Sequence, residues 1–109
     1  MIEATVLADA LSKDGIGIAE FDDKEPRFEV LTNGDLLTSE EAITDWRVAG
    51  KVLESMSEGG CCSYFGHDTT DTYLCTYRKG WGHRRTRFHG VAVNPCTAII
   101  EAWYESTYC

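Results

Sequence analysis

Six side chains in the second half of the chain, Cys61, Cys62, His67, Cys75, His83 and His89, are of the types that bind soft metals. Thiolates and imidazoles are the usual zinc ligands. Their spacing argues against a site. Adjacent Cys61 and Cys62 point to opposite faces if they lie on a strand, and there is no C-x2-C or H-x3-H pair, so no metal is expected. Cys62 or Cys75 with a histidine would supply a nucleophile and a base, but no third, orienting residue and no oxyanion site is marked. Packing is the expected role for these thiols, because free cysteine is among the most often buried residue types. Gly15-Ile16-Gly17 lacks the third glycine and the following helix of a phosphate-binding loop. No catalytic residue, metal or cofactor is assigned, and the chain reads as a protein that is not an enzyme.

Two charged clusters offer binding chemistry instead. The acidic residues Asp22, Asp23, Glu25, Asp35, Glu40 and Glu41, with Glu29 among them, form a field that would steer the molecule onto a basic protein surface. Their bland reading is a solvated face that aids solubility. The alternative cluster is basic: Arg78, Lys79, Arg84, Arg85 and Arg87, with Trp81 and other aromatics interleaved, as in surfaces that follow a nucleic-acid backbone and stack its bases. Like charges on a hairpin more often form a solvated face or pair with opposite charge elsewhere. The overall balance favours the acidic reading. Ten Lys and Arg against eighteen Asp and Glu give a net charge of -8. Residues 1–60 hold five basic and fourteen acidic side chains, and residues 61–109 hold five basic and four acidic, so the negative excess is N-terminal.

The chain of 109 residues suits one domain, and 43% hydrophobic with 11% aromatic residues is a globular composition. MIEATVLADAL lacks the charged and apolar segments of a signal peptide, and no apolar run is long enough to span a bilayer. A bacterial-type cytoplasmic location is expected, with the odd set of five cysteines kept as thiols.

The elements that must position these clusters follow from periodicity. Residues 2–12 fit a helix through Ala4, Leu7, Ala8 and Leu11, or a strand through Ala4, Val6, Ala8 and Ala10. The turn Ser12-Lys13-Asp14-Gly15 and the run Ile16–Phe21 favour a hairpin. A third short strand is expected over Arg27–Thr32. Thr38-Ser39-Glu40-Glu41 is a capping box that opens one helix running to Gly59-Gly60, where a left-handed residue would end it. In that helix Trp46, Ala49, Val52, Leu53 and Met56 form the apolar stripe, and Gly50 is either a tolerated loss of about 1 kcal/mol or the mark of another element crossing closely. An antiparallel meander follows, with Tyr73, Cys75 and Tyr77 on one face, Arg85, Arg87 and His89 on one face of the last strand, and Gly90 marking a bulge. Asn94-Pro95 caps a final helix that buries Cys96, Ile99, Ile100 and Trp103, with Thr97, Glu101 and Glu105 facing away. The expected class is α+β, an antiparallel sheet with two packed helices. An N-terminal hairpin over 1–37 precedes an α-β-β-β-α core over 38–106. Tyr104 and Tyr108, at the end of the chain, are candidates for a homodimer contact.

The Trp-led helix TDWRVAGKVLESM, the meander and the closing NPCTAIIEA helix resemble the phage ABA sandwich family, over about residues 38–106. The family is encoded mostly by bacteriophages and prophages and has no assigned catalytic residues. The resemblance implies a small phage accessory protein that binds, and inhibits, a host protein such as a defence-system component, in the manner of an anti-CRISPR. The α-β-β-β-α order also resembles double-stranded RNA-binding domains, but those place lysines where Asn94-Pro95-Cys96 stands. The opening residues are similar to those of flavin-dependent thymidylate synthases, yet Asn33-Gly34-Asp35 occupies the place of that enzyme's Arg-His-Arg signature.

Overall fold

A computed structural model of the chain describes residues 2–14, 16–21, 26–30, 36–80 and 82–108, those at 17–21, 26–30, 36 and 84 by backbone alone. The order is α1 (Ala4–Lys13), β1 (Gly17–Phe21), β2 (Pro26–Val30), β3 (Leu36–Thr38), α2 (Ser39–Ile43), α3 (Trp46–Gly59), β4 (Gly60–His67), β5 (Tyr73–Lys79), a 3-10 turn (Gly82–Arg84), β6 (Thr86–Ala92) and α4 (Pro95–Tyr108). There are two antiparallel three-stranded sheets, β1-β2-β3 and β4-β5-β6. The C-terminal part has the expected α-β-β-β-α order, with the second sheet packed against α3 and α4.

The centre of the molecule is α4. Asn94 accepts from the amide of Cys96 at 2.8 Å and starts the helix. All eight residues from Cys96 to Trp103 are then buried, which no single-faced helix achieves. The expected outward face of α4 is therefore corrected. Thr97 donates its hydroxyl to the carbonyl of Ile43 at 2.9 Å, and Glu101 is only 6% exposed because β6 and the start of the chain cover it. Burial raises the pKa of Glu101, with backbone amides of Ile2 and Val91 opposing the shift, and its Oε1 has no hydrogen-bond partner among the described residues.

Two glycines mark the closest packing. At Gly90 a Cβ would overlap the carbonyl oxygen of Ala98 and lie 2.5 Å from the amide nitrogen of Ala102, so β6 presses its backbone onto α4. Gly90 pairs regularly with Cys75, and the expected bulge is not there. The register instead slips between Cys62 and Tyr64, making Ser63 the extra residue. At Gly60 a Cβ would overlap the carbonyl of Arg78. The Gly-Gly stop of α3 thus serves a close strand approach, and Gly60 is extended (φ 172°) where a left-handed residue was expected. Among the described residues nothing lies within 4 Å of where a Cβ on Gly50 would stand, so no described element crosses it closely.

Two further expectations are corrected. Residues 4–13 form a helix, and the N-terminal hairpin pairs β1 with β2. Four alanines and leucines at helical spacing, Leu7, Ala8, Ala10 and Leu11, are buried, whereas Val6, which the strand reading puts on the core face, is 40% exposed. The long helix from Thr38 is two helices. The capping box is present, with both Thr38–Glu41 hydrogen bonds at 3.2 Å. The Thr44 hydroxyl then takes the carbonyls of Glu40 and Glu41, ending α2, and Asp45 accepts from the amide of Arg47 at 2.7 Å, starting α3. Adjacent Thr and Asp side chains satisfy backbone groups locally, so the break is cheaper than a continuous helix. It rotates the buried face of α3 to Val48, Ala49, Val52 and Met56 and leaves Trp46 outside.

Candidate functional site: an aromatic and dithiol edge

Trp46 leads to a surface where aromatic rings, an imidazole and thiols come together. It sits at the first position of α3, 58% exposed, and meets the ring of Phe65 edge-to-face with centroids 6.5 Å apart. Phe65, itself 41% exposed, stacks on Tyr73 at 6.2 Å, and Tyr73 meets the His67 imidazole at 4.4 Å. The four rings belong to the start of α3, the end of β4 and the start of β5, and they assemble because α3 and β4 run back against each other through Gly59-Gly60. An open depression of about 480 Å³ over His67, Thr69 and Thr70 adjoins them. The β4–β5 turn there carries Asp68 and Asp71, both exposed.

The bulge at Ser63 places a pair of thiols beside this cluster. Cys62 pairs with Tyr77 and, after the extra residue, Phe65 pairs with Cys75, so Cys62 and Cys75 lie on the helix-facing side of adjacent strands. Their sulfurs are 3.7 Å apart. Cys62 is exposed and Cys75 is buried. A hydrogen bond from the Cys75 thiol, with one from the backbone near Tyr64, lowers the pKa of Cys62 to about 7 against the cost of partial burial. The same contact and burial push that of Cys75 far up. Below them the Tyr77 hydroxyl donates to the buried carbonyl of Met56 at 2.8 Å and joins β5 to the last turn of α3.

The opposite face of the sheet carries Cys61, Tyr64, Leu74, Thr76, Arg78, Arg87, His89 and Val91, by register with the two neighbouring strands. Arg78 and Arg87 are directly opposed, and no carboxylate lies among these residues. His89 Nδ1 is 3.0 Å from the Thr76 hydroxyl. Cys61 and Cys62 thus point to opposite faces, as their adjacency on a strand requires. Of the six thiols and imidazoles considered as ligands, only Cys62 and Cys75 meet, and no group of three potential ligands gathers among the described residues.

The basic candidates do not converge. Lys79 donates to the carbonyl of Ser106 at 2.8 Å, Arg85 Nε donates to that of Gly82 at 3.0 Å, and Arg78 Nε is buried without an acceptor among the described residues. Strand β6 begins at Thr86, so Arg85 precedes it and does not share the face of Arg87 and His89; Arg84 ends the 3-10 turn. Trp81 lies outside the described residues, as do Asp22, Asp23, Glu25 and Asp35. Glu40 and Glu41 stand in the first turn of α2, where Glu41 engages its carboxylate in the capping box. At the chain end Tyr108 stacks on Tyr104 at 5.2 Å and reaches the carbonyl of Ala10 at 3.4 Å, so both rings pack against α1 of the same molecule.

The aromatic edge was hidden from sequence reading because Trp46 falls at helical spacing with Ala49, Val52 and Met56, which are buried, while its own place at the first position of α3 leaves it exposed. The signal that exposes it is Thr44-Asp45, a stop followed by an N-cap. The comparisons leave this geometry to stand alone: no known family model matches the chain, and no curated protein matches it.

Proposed function

We propose that this protein is a non-enzymatic binding protein that docks a basic partner protein on the aromatic edge around Trp46 and Phe65. The observation that carries the reading is the exposure of Trp46, 58%, in contact with a second exposed aromatic ring. Large, rigid aromatic side chains in a cluster are the usual anchors of protein interfaces. The partner's chemistry follows from charge. Asp68 and Asp71 flank the edge and the chain carries a net charge of -8, so the complementary surface has an apolar pocket rimmed by Lys or Arg. The N-terminal acids Asp22, Asp23 and Glu25 would add to the rate of encounter. The resemblance of residues 38–106 to phage ABA sandwich proteins supports the biological setting in this proposal: a bacteriophage or prophage protein acting in the bacterial cytoplasm and inhibiting a host factor such as a defence-system component. No helix among the described residues is long and apolar enough to cross a membrane.

The second reading is nucleic-acid binding on the outward sheet face, favoured by the opposed Arg78 and Arg87, with no carboxylate among the described residues that share that face by register. One experiment separates the two. Tagged protein is used to recover partners from bacterial lysate, analysed for protein and nucleic acid, alongside Trp46→Ala and Arg87→Glu variants. A stoichiometric protein that is lost with Trp46→Ala and kept with Arg87→Glu supports the proposal. Nucleic acid recovered at low salt and lost with Arg87→Glu overturns it in favour of the second reading. Recovery of neither overturns both.

A further inference from the structure

The sulfurs of Cys62 and Cys75 are 3.7 Å apart across adjacent strands, one exposed and one buried, with no other described cysteine or histidine joining them as a third ligand. We propose that Cys62 and Cys75 are a thiol–disulfide exchange site, with Cys62 as the attacking thiol, Cys75 as the resolving thiol and a low-molecular-weight disulfide of the glutathione type as the oxidant. This inference stands apart from the binding proposal, since it rests on the dithiol alone.

The geometry divides the two roles. Only Cys62 is exposed to a reagent arriving from solvent, and the hydrogen bond from Cys75 stabilises it as the thiolate, the form that attacks. The Cys62 thiolate attacks one sulfur of the disulfide; a Cys62 mixed disulfide forms and one thiolate leaves. The influences holding the Cys75 proton, largest first, are its hydrogen bond to Cys62, burial and the Cys62 charge. Forming the mixed disulfide consumes that charge, so burial alone then opposes ionisation. Cys75 loses its proton to solvent and attacks the Cys62 sulfur, forming the Cys62–Cys75 bond and releasing the second thiolate. The protein loses two protons and two electrons, which the small disulfide takes up to become two thiols. Cys62 pairs with Tyr77, which shares the face of Cys75, so the two thiols are diagonal neighbours; the bulge at Ser63 adds Phe65 to that face, since an unbroken register would place Tyr64 opposite Cys75 and turn Phe65 away. Cys61 cannot substitute for Cys62, because it stands on the outward face opposite Arg78.

The site also touches the aromatic edge, since Phe65 pairs with Cys75 and a disulfide would tie β4 to β5 where the rings assemble.

The test uses the full chain equilibrated in mixtures of reduced and oxidised glutathione, quenched with acid, alkylated and mapped by mass spectrometry. The expected product has lost two hydrogens and carries a crosslink between the Cys62 and Cys75 peptides. Cys61→Ser retains the crosslink, Cys62→Ser abolishes it, and Cys75→Ser traps glutathione on Cys62. The proposal is overturned if Cys62 and Cys75 are both alkylated across the whole redox range while circular dichroism shows folded protein. It is equally overturned if oxidation joins Cys61 or Cys109 in their place. If Cys75→Ser does not fold, the crosslink map of the unaltered protein and of Cys61→Ser decides the matter alone.

Discussion

Strands β4 and β6 are the two edges of one sheet, and they are treated oppositely. Helix α4 lies so close beneath β6 that Gly90 has no room for a side chain, and Ala92 beside it is buried. Along β4 every residue from Cys61 to Phe65 is exposed: Cys61 and Tyr64 face away from the helices, and on the helix-facing side Cys62 and Phe65 stay accessible, Phe65 beside the exposed Trp46 at the start of α3. The consequence is a division of labour. The β6 edge fixes the fold, and the β4 edge retains accessible rings and a thiol that packing elsewhere would have removed from reach.

The comparison breaks first at Gly90. Gly90→Ala drives a methyl group into the Ala98 carbonyl and toward the Ala102 amide, backbone atoms that cannot rotate away, and is expected to cost about 3 kcal/mol in urea unfolding. A loss under about 0.5 kcal/mol would mean that β6 can lift from α4 freely, and the contrast between the edges would disappear. The opposite sign is expected at Gly50, on the helix that faces β4. Among the described residues nothing lies within 4 Å of its built Cβ, so Gly50→Ala gains helix propensity at no steric cost, about 1 kcal/mol of added stability in the same measurement.

The smallest effect sharpens the account of the β6 side. Glu101, buried under β6, has a folded pKa raised above the ordinary 4.5, so the folded state holds its proton more tightly than the unfolded state does. The contribution of Glu101 is therefore most favourable below pH 4.5 and is lost as pH rises through the folded pKa. Glu101→Gln should remove this component of the pH dependence and stabilise the protein at neutral pH. An unchanged profile of stability against pH between the two proteins would show that the carboxyl is solvated in solution.

Much of the C-terminal half was readable from local rules. The Thr38–Glu41 capping box, the Asn94-Pro95 start of α4, and the alternation of Tyr73, Cys75 and Tyr77 each depend on residues a few positions apart, and all three are found. Residues 4–13 were misread because their alanines satisfy helix and strand periods equally, and only the burial of Leu7 and Leu11 against the rest of the core separates the two. The break at Thr44-Asp45 was legible in principle from its Thr stop and Asp N-cap, but the capping box at Thr38 and the apolar stripe from Trp46 were joined into one helix. The outward assignment of Thr97 and Glu101 failed for a different reason: amphipathic reading assumes one buried face, and α4 has neighbours on several sides.

The sequence by itself determined the α+β class, the order of the C-terminal elements, the caps that begin α2 and α4, and the opposite facing of Cys61 and Cys62. All of these are set by hydrogen bonds and alternation within a few residues. Only the tertiary structure decided which helix is central, which glycines are pressed against backbone, that Trp46 stands outside the core, and that Cys62 meets Cys75. Those outcomes depend on how strands and helices separated in the chain are brought against one another. That arrangement is not encoded in the spacing of residues along a single element.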